Sequence, residues 1–175
     1  MSDKPTLLGN WGDRREPRIG IMLHYDGSLS DKGAVDWLRV DKRCRVSYNW
    51  IVTDDGGQVT IAPQDKRAWH AGVCRPSDPR LTYRDANSAF YGVAVAATAG
   101  DTVTITQHNT VVNLCAALMK HHGWRDPWRI VGHDTECWPR GRKMDPTGPD
   151  PKHPVLDVEA VRRDVVARRW LSTAS

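Results

Sequence analysis

The stretch "IGIMLHYD", residues 19–26, governs how the rest of the chain is read. Five apolar or small residues run without a charge and then give way to His24, Tyr25 and Asp26. A short apolar run bounded by polar residues reads as a buried strand. That reading leaves His24 at the strand's exit, where a loop begins.

Working outward, "SDKGAVDWLRVDKR" (30–43) has the pattern of a short helix capped by Ser30. In "RVSYNWIVTDDGGQVTI" (45–61), Val46, Tyr48, Trp50 and Val52 alternate up to an Asp-Asp-Gly-Gly turn, which predicts a β-hairpin. "AFYGVAVAATAG" (89–100) is a strand of small and β-prone residues, expected at the sheet centre. The clearest helix is 104–123. Thr104 and Gln107 form a capping box, and Ile105, Val112, Cys115 and Met119 share one face, widened by Val111, Leu114 and Leu118. Gly123 stops it. "RIVGH" (129–133) is a further strand ending at His133, and Val158, Val161 and Val165 mark a basic C-terminal helix over about 156–170. Strands mixed with helices predict an α/β fold, a mixed central sheet flanked by helices.

The 175 residues suit one domain, 1–175, with a single core. With 39% hydrophobic and 26% charged residues, the composition is that of a globular chain and excludes a disordered one. No run of about 18 apolar residues is present, so no transmembrane segment is expected. The opening "MSDKPTLLGNWGDRREPR" lacks the apolar stretch of a secretory signal. Synthesis in the cytoplasm is therefore expected. The four cysteines are too few for a disulfide scaffold and read as free thiols. A formal charge of +4 favours an anionic partner: nucleic acid, a membrane surface or a cell-wall polymer.

Catalytic zinc commonly takes three protein ligands and leaves a position for water. His24 and His133 both stand where an apolar strand meets a loop, which holds a side chain rigidly. The loop "VGHDTECWPRGRKMDP" (131–146) offers Cys137 and Asp145 as a third donor. Both are competent zinc ligands, so donor chemistry alone leaves the choice open.

Six segments, "IMLHYDGS", "VSYNWIVTDDGGQV", "AWHAG", "NSAFYGVAV", "VGHD" and "RKMDP", occur in the order found in one family. Over residues 19–160 the chain resembles the type 2 N-acetylmuramoyl-L-alanine amidases, a family that includes phage lysozyme-amidases and peptidoglycan recognition proteins. The resemblance implies one zinc ion on His24, His133 and Asp145, with Cys137 a bystander. It implies hydrolysis of the amide joining the lactyl group of N-acetylmuramic acid to L-alanine. Residues two apart on an extended segment point the same way, so Lys143 shares a side with Asp145. Its implied role is to stabilise the oxyanion of the tetrahedral intermediate.

The chain departs from one branch of the family, which carries glutamate in a "Gly-x-Glu" strand; here the strand reads Gly92-Val93-Ala94. Ala94 cannot move a proton. The phage members that lack this glutamate resemble the chain at Ser47-Tyr48-Asn49, which gives Tyr48 the role of orienting water or relaying its proton. By the same resemblance His70 and Trp69, in "AWHAG", are expected to contact substrate. His108, His121 and His122 are expected to be solvated, and His153 has no assigned role.

The expected partner is peptidoglycan or a muropeptide. Arg162, Arg163, Arg168 and Arg169 form a basic tail that could touch an anionic envelope surface. Four arginines on a terminal helix more commonly form a solvated face, so no nucleic acid is expected. The setting implied is a monomeric phage endolysin that reaches the wall after membrane permeabilisation. The alternatives are a cytoplasmic anhydro-muropeptide recycling amidase and a non-catalytic peptidoglycan-binding module.

Overall fold

Every residue from Gly20 to His24 is buried, as a strand with neighbours on both edges requires. A computed structural model describes residues 10–40 and 44–171. In chain order the elements are β1 (Trp11–Asp13), β2 (Gly20–Tyr25), α1 (Asp31–Val40), β3 (Trp50–Val52), β4 (Gln58–Thr60), β5 (Lys66–Ala68), α2 (Ala86–Ala89), β6 (Phe90–Val95), α3 (Ile105–His121), β7 (Ile130–Gly132), α4 (His133–Glu136) and α5 (Val158–Leu171). The main sheet has the order β4-β3-β6-β2-β7, and β1 pairs with β5 in a separate ribbon. Strands β3, β6, β2 and β7 run parallel, and β4 turns back antiparallel on β3. The expected mixed sheet flanked by helices is the observed architecture.

The pleat sorts side chains between two faces. Ile21 and Leu23 of β2, Trp50 and Val52 of β3, and Tyr91, Val93 and Val95 of β6 meet α3 and α5 in the largest apolar cluster. Val161 and Val165 of α5 are fully buried there, each stabilising the fold by roughly 1.5–3 kcal/mol relative to exposure. On the other face Ile51 and Ala94 pack with Ala34 and Leu38 of α1 and with Tyr48. Met22 belongs to this second face too, beside Phe90, Val131 and Ala86. His24, two residues beyond Met22, therefore projects away from α3 and α5.

The capping box of α3 is present in full: Gln107 N–H donates to Thr104 Oγ1 at 3.1 Å, and Thr104 N–H donates to Gln107 Oε1 at 2.9 Å. Ile105 differs from expectation, being 79% exposed. Its angular position is on the apolar face, but the first turn runs past the core, and Thr104 and Thr106 beside it are exposed as well. Gly123 ends the helix region at φ +66°.

The hairpin is shorter than its alternation implies, with three residues in each strand. Backbone bonds nevertheless continue the pairing toward Tyr48, from Ile61 N–H to Asn49 O at 3.1 Å and from Ala62 N–H to Tyr48 O at 3.0 Å. In the turn, Gly56 has φ +81°, and a Cβ there would collide with Thr106. Ser30 Oγ accepts from Gly33 N–H at 3.2 Å, as a helix cap does. Residues 41–43 of the expected helix lie outside the described residues. The β1–β5 ribbon and α2 have no signature in the apolar pattern. Among the described residues no helix is long and apolar enough to cross a membrane.

Candidate active site

Open parallel sheets hold ligands beyond the carboxyl ends of their strands, and the two candidate histidines stand at such ends. Leu23 of β2 pairs with Gly132 of β7, so the residues that follow, His24 within β2 and His133 at the start of α4, lie side by side. Their ring centroids are 4.7 Å apart. Asp145 arrives from the following loop. Its Oδ2 lies 2.7 Å from His24 Nδ1 and 2.9 Å from His133 Nδ1. The donor atoms of His24, His133 and Asp145 fall within 4.8 Å of one another, and all three residues are buried.

The outer contacts determine what these atoms can do. His133 Nε2 lies 2.8 Å from Ala71 O. A carbonyl can only accept, so Nε2 carries the proton and Nδ1 presents a lone pair. His24 Nε2 lies 3.0 Å from His70 Nδ1, and His70 Nε2 lies 3.3 Å from Phe90 O. Read from the Phe90 carbonyl, His70 donates through Nε2, His24 donates through Nε2, and His24 Nδ1 also presents a lone pair. Burial holds the His24 pKa down to about 4, so a second proton is not held on that ring near neutral pH. Two imidazole lone pairs and a carboxylate oxygen thus converge with no proton between them. The donor chemistry fits a divalent cation such as zinc, with hydrogen-bonded outer partners of the kind that orient metal-binding histidines.

A cavity of about 400 Å³ opens over this cluster, lined among others by Tyr25, Asp26, Trp37, Tyr48, Lys143 and Met144. Tyr48 is buried, with its ring centroid 5.1 Å from that of His24. Burial, reinforced by the negative charges of Asp145 and Asp26, pushes its hydroxyl pKa far above the ordinary value. Tyr48 is therefore a neutral donor, not an anionic base. Lys143 is exposed at the cavity rim. Asp26 Oδ1 accepts from Ser28 N–H and Ala97 N–H, each at 3.2 Å, while Oδ2 is buried without a partner.

Cys137, the competing donor, is buried but turned elsewhere: its Sγ lies 3.3 Å from Asp134 O. His70 reaches the cavity lining, yet its ring is wedged between His24 and the Phe90 carbonyl. Its backbone N–H and that of Ala71 both donate to Asn87 Oδ1 at 2.8 Å. Trp69 is not among the residues lining the cavity. Neighbours on an extended segment point oppositely, and the Trp69 ring instead carries the Arg67 guanidinium 4.0 Å from its centroid. His153 is exposed and bonded to Asp150 at 2.9 Å. His108 and His122 are only partly solvated, His108 meeting Asp164 at 2.7 Å and His122 meeting the Tyr91 hydroxyl at 2.9 Å. Sequence reasoning missed Arg142, whose Nη2 donates to Val73 O at 3.0 Å and whose Nε donates to Trp138 O at 3.0 Å. It pins the loop that carries Lys143 and Asp145, and nothing in its spacing announced that role.

The family profile of N-acetylmuramoyl-L-alanine amidases matches residues 14–148. The chain belongs to that family. It is an enzyme, an amidase acting on peptidoglycan. No curated protein matches the sequence. Among solved structures, the amidase is similar to a selenomethionine derivative of AmpD, with a TM-score of 0.69 and 23% identity over 90% of each chain. It is similar to AmiD from E. coli in complex with anhydro-N-acetylmuramic acid-L-Ala-D-γ-Glu-L-Lys, at a TM-score of 0.65 and 19% identity, over 85% of this chain and 58% of that one. It is also similar to the endolysin amidase LysCS from Clostridium intestinale, at a TM-score of 0.62 and 15% identity over 93% and 91% of the two chains. These likenesses concern the fold.

Proposed function

We propose that this amidase is a zinc enzyme that cleaves the amide between the lactyl group of N-acetylmuramic acid and L-alanine in polymeric cell wall, in the role of a phage endolysin. The metal part rests on one observation, the convergence of donor atoms of His24, His133 and Asp145 within 4.8 Å of one another. Zinc bound there would supply Lewis acidity, polarising a carbonyl and acidifying water at neutral pH.

The chain's own groups supply the remainder. Lys143, exposed at the cavity rim, would bring its ammonium to the negative charge that develops on the scissile carbonyl oxygen. Tyr48 keeps its proton and offers it as a hydrogen bond beside His24. His70 fixes the tautomer and orientation of His24. Ala94 stands next to His24 in the sheet register, so no carboxylate on that strand takes part in proton transfer.

The endolysin role is supported by the likeness to LysCS over nearly the whole of both chains and by the alanine at position 94. The enzyme acts as a monomer on the wall once the membrane has been permeabilised. The basic tail would offer its arginines to an envelope surface, Arg162 Nε also donating to Ile130 O at 2.7 Å and Arg168 Nη2 to Asn109 Oδ1 at 2.8 Å. Arg163 remains exposed, and the Arg169 side chain lies outside the described residues. A second reading, an amidase of soluble anhydro-muropeptides, is favoured by the ligand in the AmiD complex.

Intact sacculi and soluble anhydro-muropeptide, digested side by side and followed by mass spectrometry, separate the two. Release of L-alanine-terminated stem peptides from sacculi at the higher rate supports the endolysin role; preference for the soluble substrate replaces it with recycling. Activity abolished by a chelator and restored by zinc is the expected companion result.

A further inference from the structure

We propose that Cys74 and Cys137 form a disulfide on exposure to an oxidant, cross-linking the segment that follows His70 to the loop that leads to Lys143 and Asp145. Neither thiol takes part in the chemistry described above. The two residues lie opposite one another as an isolated antiparallel bridge. The backbone bonds flanking them run from Arg75 N–H to Glu136 O at 2.9 Å and from Trp138 N–H to Val73 O at 3.0 Å. The cysteines therefore occupy a non-hydrogen-bonded pair, the arrangement in which facing Cα atoms stand about 4.5 Å apart and the side chains share one face. A disulfide accepts Cα separations of roughly 4.4–6.8 Å. The backbone already has the spacing the bond needs.

The frame around the pair is fixed by contacts that a disulfide leaves in place. The buried Glu136 carboxylate accepts from Tyr83 Oη at 2.6 Å and from Ser77 Oγ. Arg142 Nη2 donates to Val73 O at 3.0 Å, and Arg140 Nη2 to Arg75 O at 3.1 Å. The thiols themselves make only weak bonds, each 3.3 Å from a carbonyl three residues earlier, Ala71 O for Cys74 and Asp134 O for Cys137. Rotation about χ1 exchanges these for an S–S bond. Cys44 and Cys115 are buried in different core clusters.

The oxidant is a small-molecule disulfide of the glutathione class. Cys74, the half-exposed member, attacks it as a thiolate, forming a mixed disulfide and expelling one thiolate. Cys137 then loses its proton, attacks the Cys74 sulfur and expels the second thiolate. Two protein thiols give up two protons and two electrons, and the oxidant is reduced to two thiols. Burial pushes the Cys74 thiol up to about 12, so exchange is slow at neutral pH and faster in alkali. The link joins the segment presenting Ala71 O to the segment between His133 and Asp145, closing a loop of roughly 60 residues.

The test incubates reduced, full-length protein under native conditions with excess oxidised glutathione at pH 8.5. The expected results are a fall from four titratable thiols to two, a cross-linked peptide containing Cys74 and Cys137, and a Tm raised by about 10 °C that dithiothreitol reverses. Cys74→Ser should keep its three thiols and show no shift. Retention of four thiols, a stable glutathione adduct at Cys74 that does not resolve, or a link through Cys44 or Cys115 would each overturn the proposal.

Discussion

His24 Nδ1 and Asp145 Oδ2 lie 2.7 Å apart although 121 residues separate them in sequence. His133 Nδ1 meets the same oxygen at 2.9 Å. Three acceptors aimed at one another repel unless something positive stands among them.

Removing a ligand should remove the metal. His24→Ala and Asp145→Ala are expected to lower zinc from about one per chain to near zero, with loss of wall hydrolysis. His70→Ala leaves the three donors in place but frees the His24 ring, and a zinc affinity 10–100-fold weaker is expected. Elemental analysis and competition with a chromogenic chelator measure both effects. Full zinc occupancy in Asp145→Ala would point to a different third ligand.

Lys143→Ala should bind zinc normally and lose about 10²–10³ in kcat, the usual effect of deleting an oxyanion donor. Tyr48→Phe removes a neutral hydrogen-bond donor, so a smaller decrease, roughly 10–100-fold, is expected with zinc content unchanged. Steady-state rates on a muramyl-L-alanine peptide give the comparison. A fully active Lys143→Ala enzyme would exclude the oxyanion role.

Gly92 makes room for the His70 ring. A Cβ at position 92 would lie 2.6 Å from His70 Cγ and 2.7 Å from its Cδ2. Gly92→Ala should therefore destabilise the fold by about 1–3 kcal/mol and weaken zinc binding at the same time, because the displaced ring supports His24. At Gly100 no atom lies within 4 Å of the corresponding Cβ, so Gly100→Ala serves as the control with little change in Tm. Equal effects at both positions would remove His70 from the explanation.

Acid should destabilise the metal-free enzyme. Burial lowers the His24 pKa from 6.5 to about 4 in the folded state. The unfolded chain then binds more protons in that interval, and stability falls as pH drops from 6.5 toward 4. Below about pH 4 this contribution levels off. Urea midpoints of chelator-treated protein at pH 7, 5.5 and 4 follow the slope, and midpoints unchanged between pH 7 and 4.5 would contradict it.

Much of the framework could be read from local signals. The apolar run ending at His24, the Thr104–Gln107 box and Gly123 each state their structure within a few residues, because caps, turns and buried strands are short-range effects. The same locality explains what was misread. Ile105 satisfies the helical period, but the period cannot tell where the core ends. Trp69 and His70 are adjacent in the segment that carries the resemblance, yet the extended backbone sends their side chains to opposite sides, and of the two it is His70 that reaches the cavity lining. Arg142 has no local signature, since its hydrogen bonds go to carbonyls that only the folded loop brings near.

Local patterns in the sequence specify the central strands and the long helices, together with two histidines and a carboxylate beside a rival donor. The family resemblance named Asp145 over Cys137, and the fold supplies the reason: Asp145 Oδ2 meets both histidines, while the Cys137 backbone is bridged to that of Cys74 with its thiol on Asp134 O. Donor chemistry at 137 and 145 is equally suited to zinc, and the difference lies in where the loop after β7 is pinned. That is set by contacts across the fold, and no short window of sequence contains both sides of them.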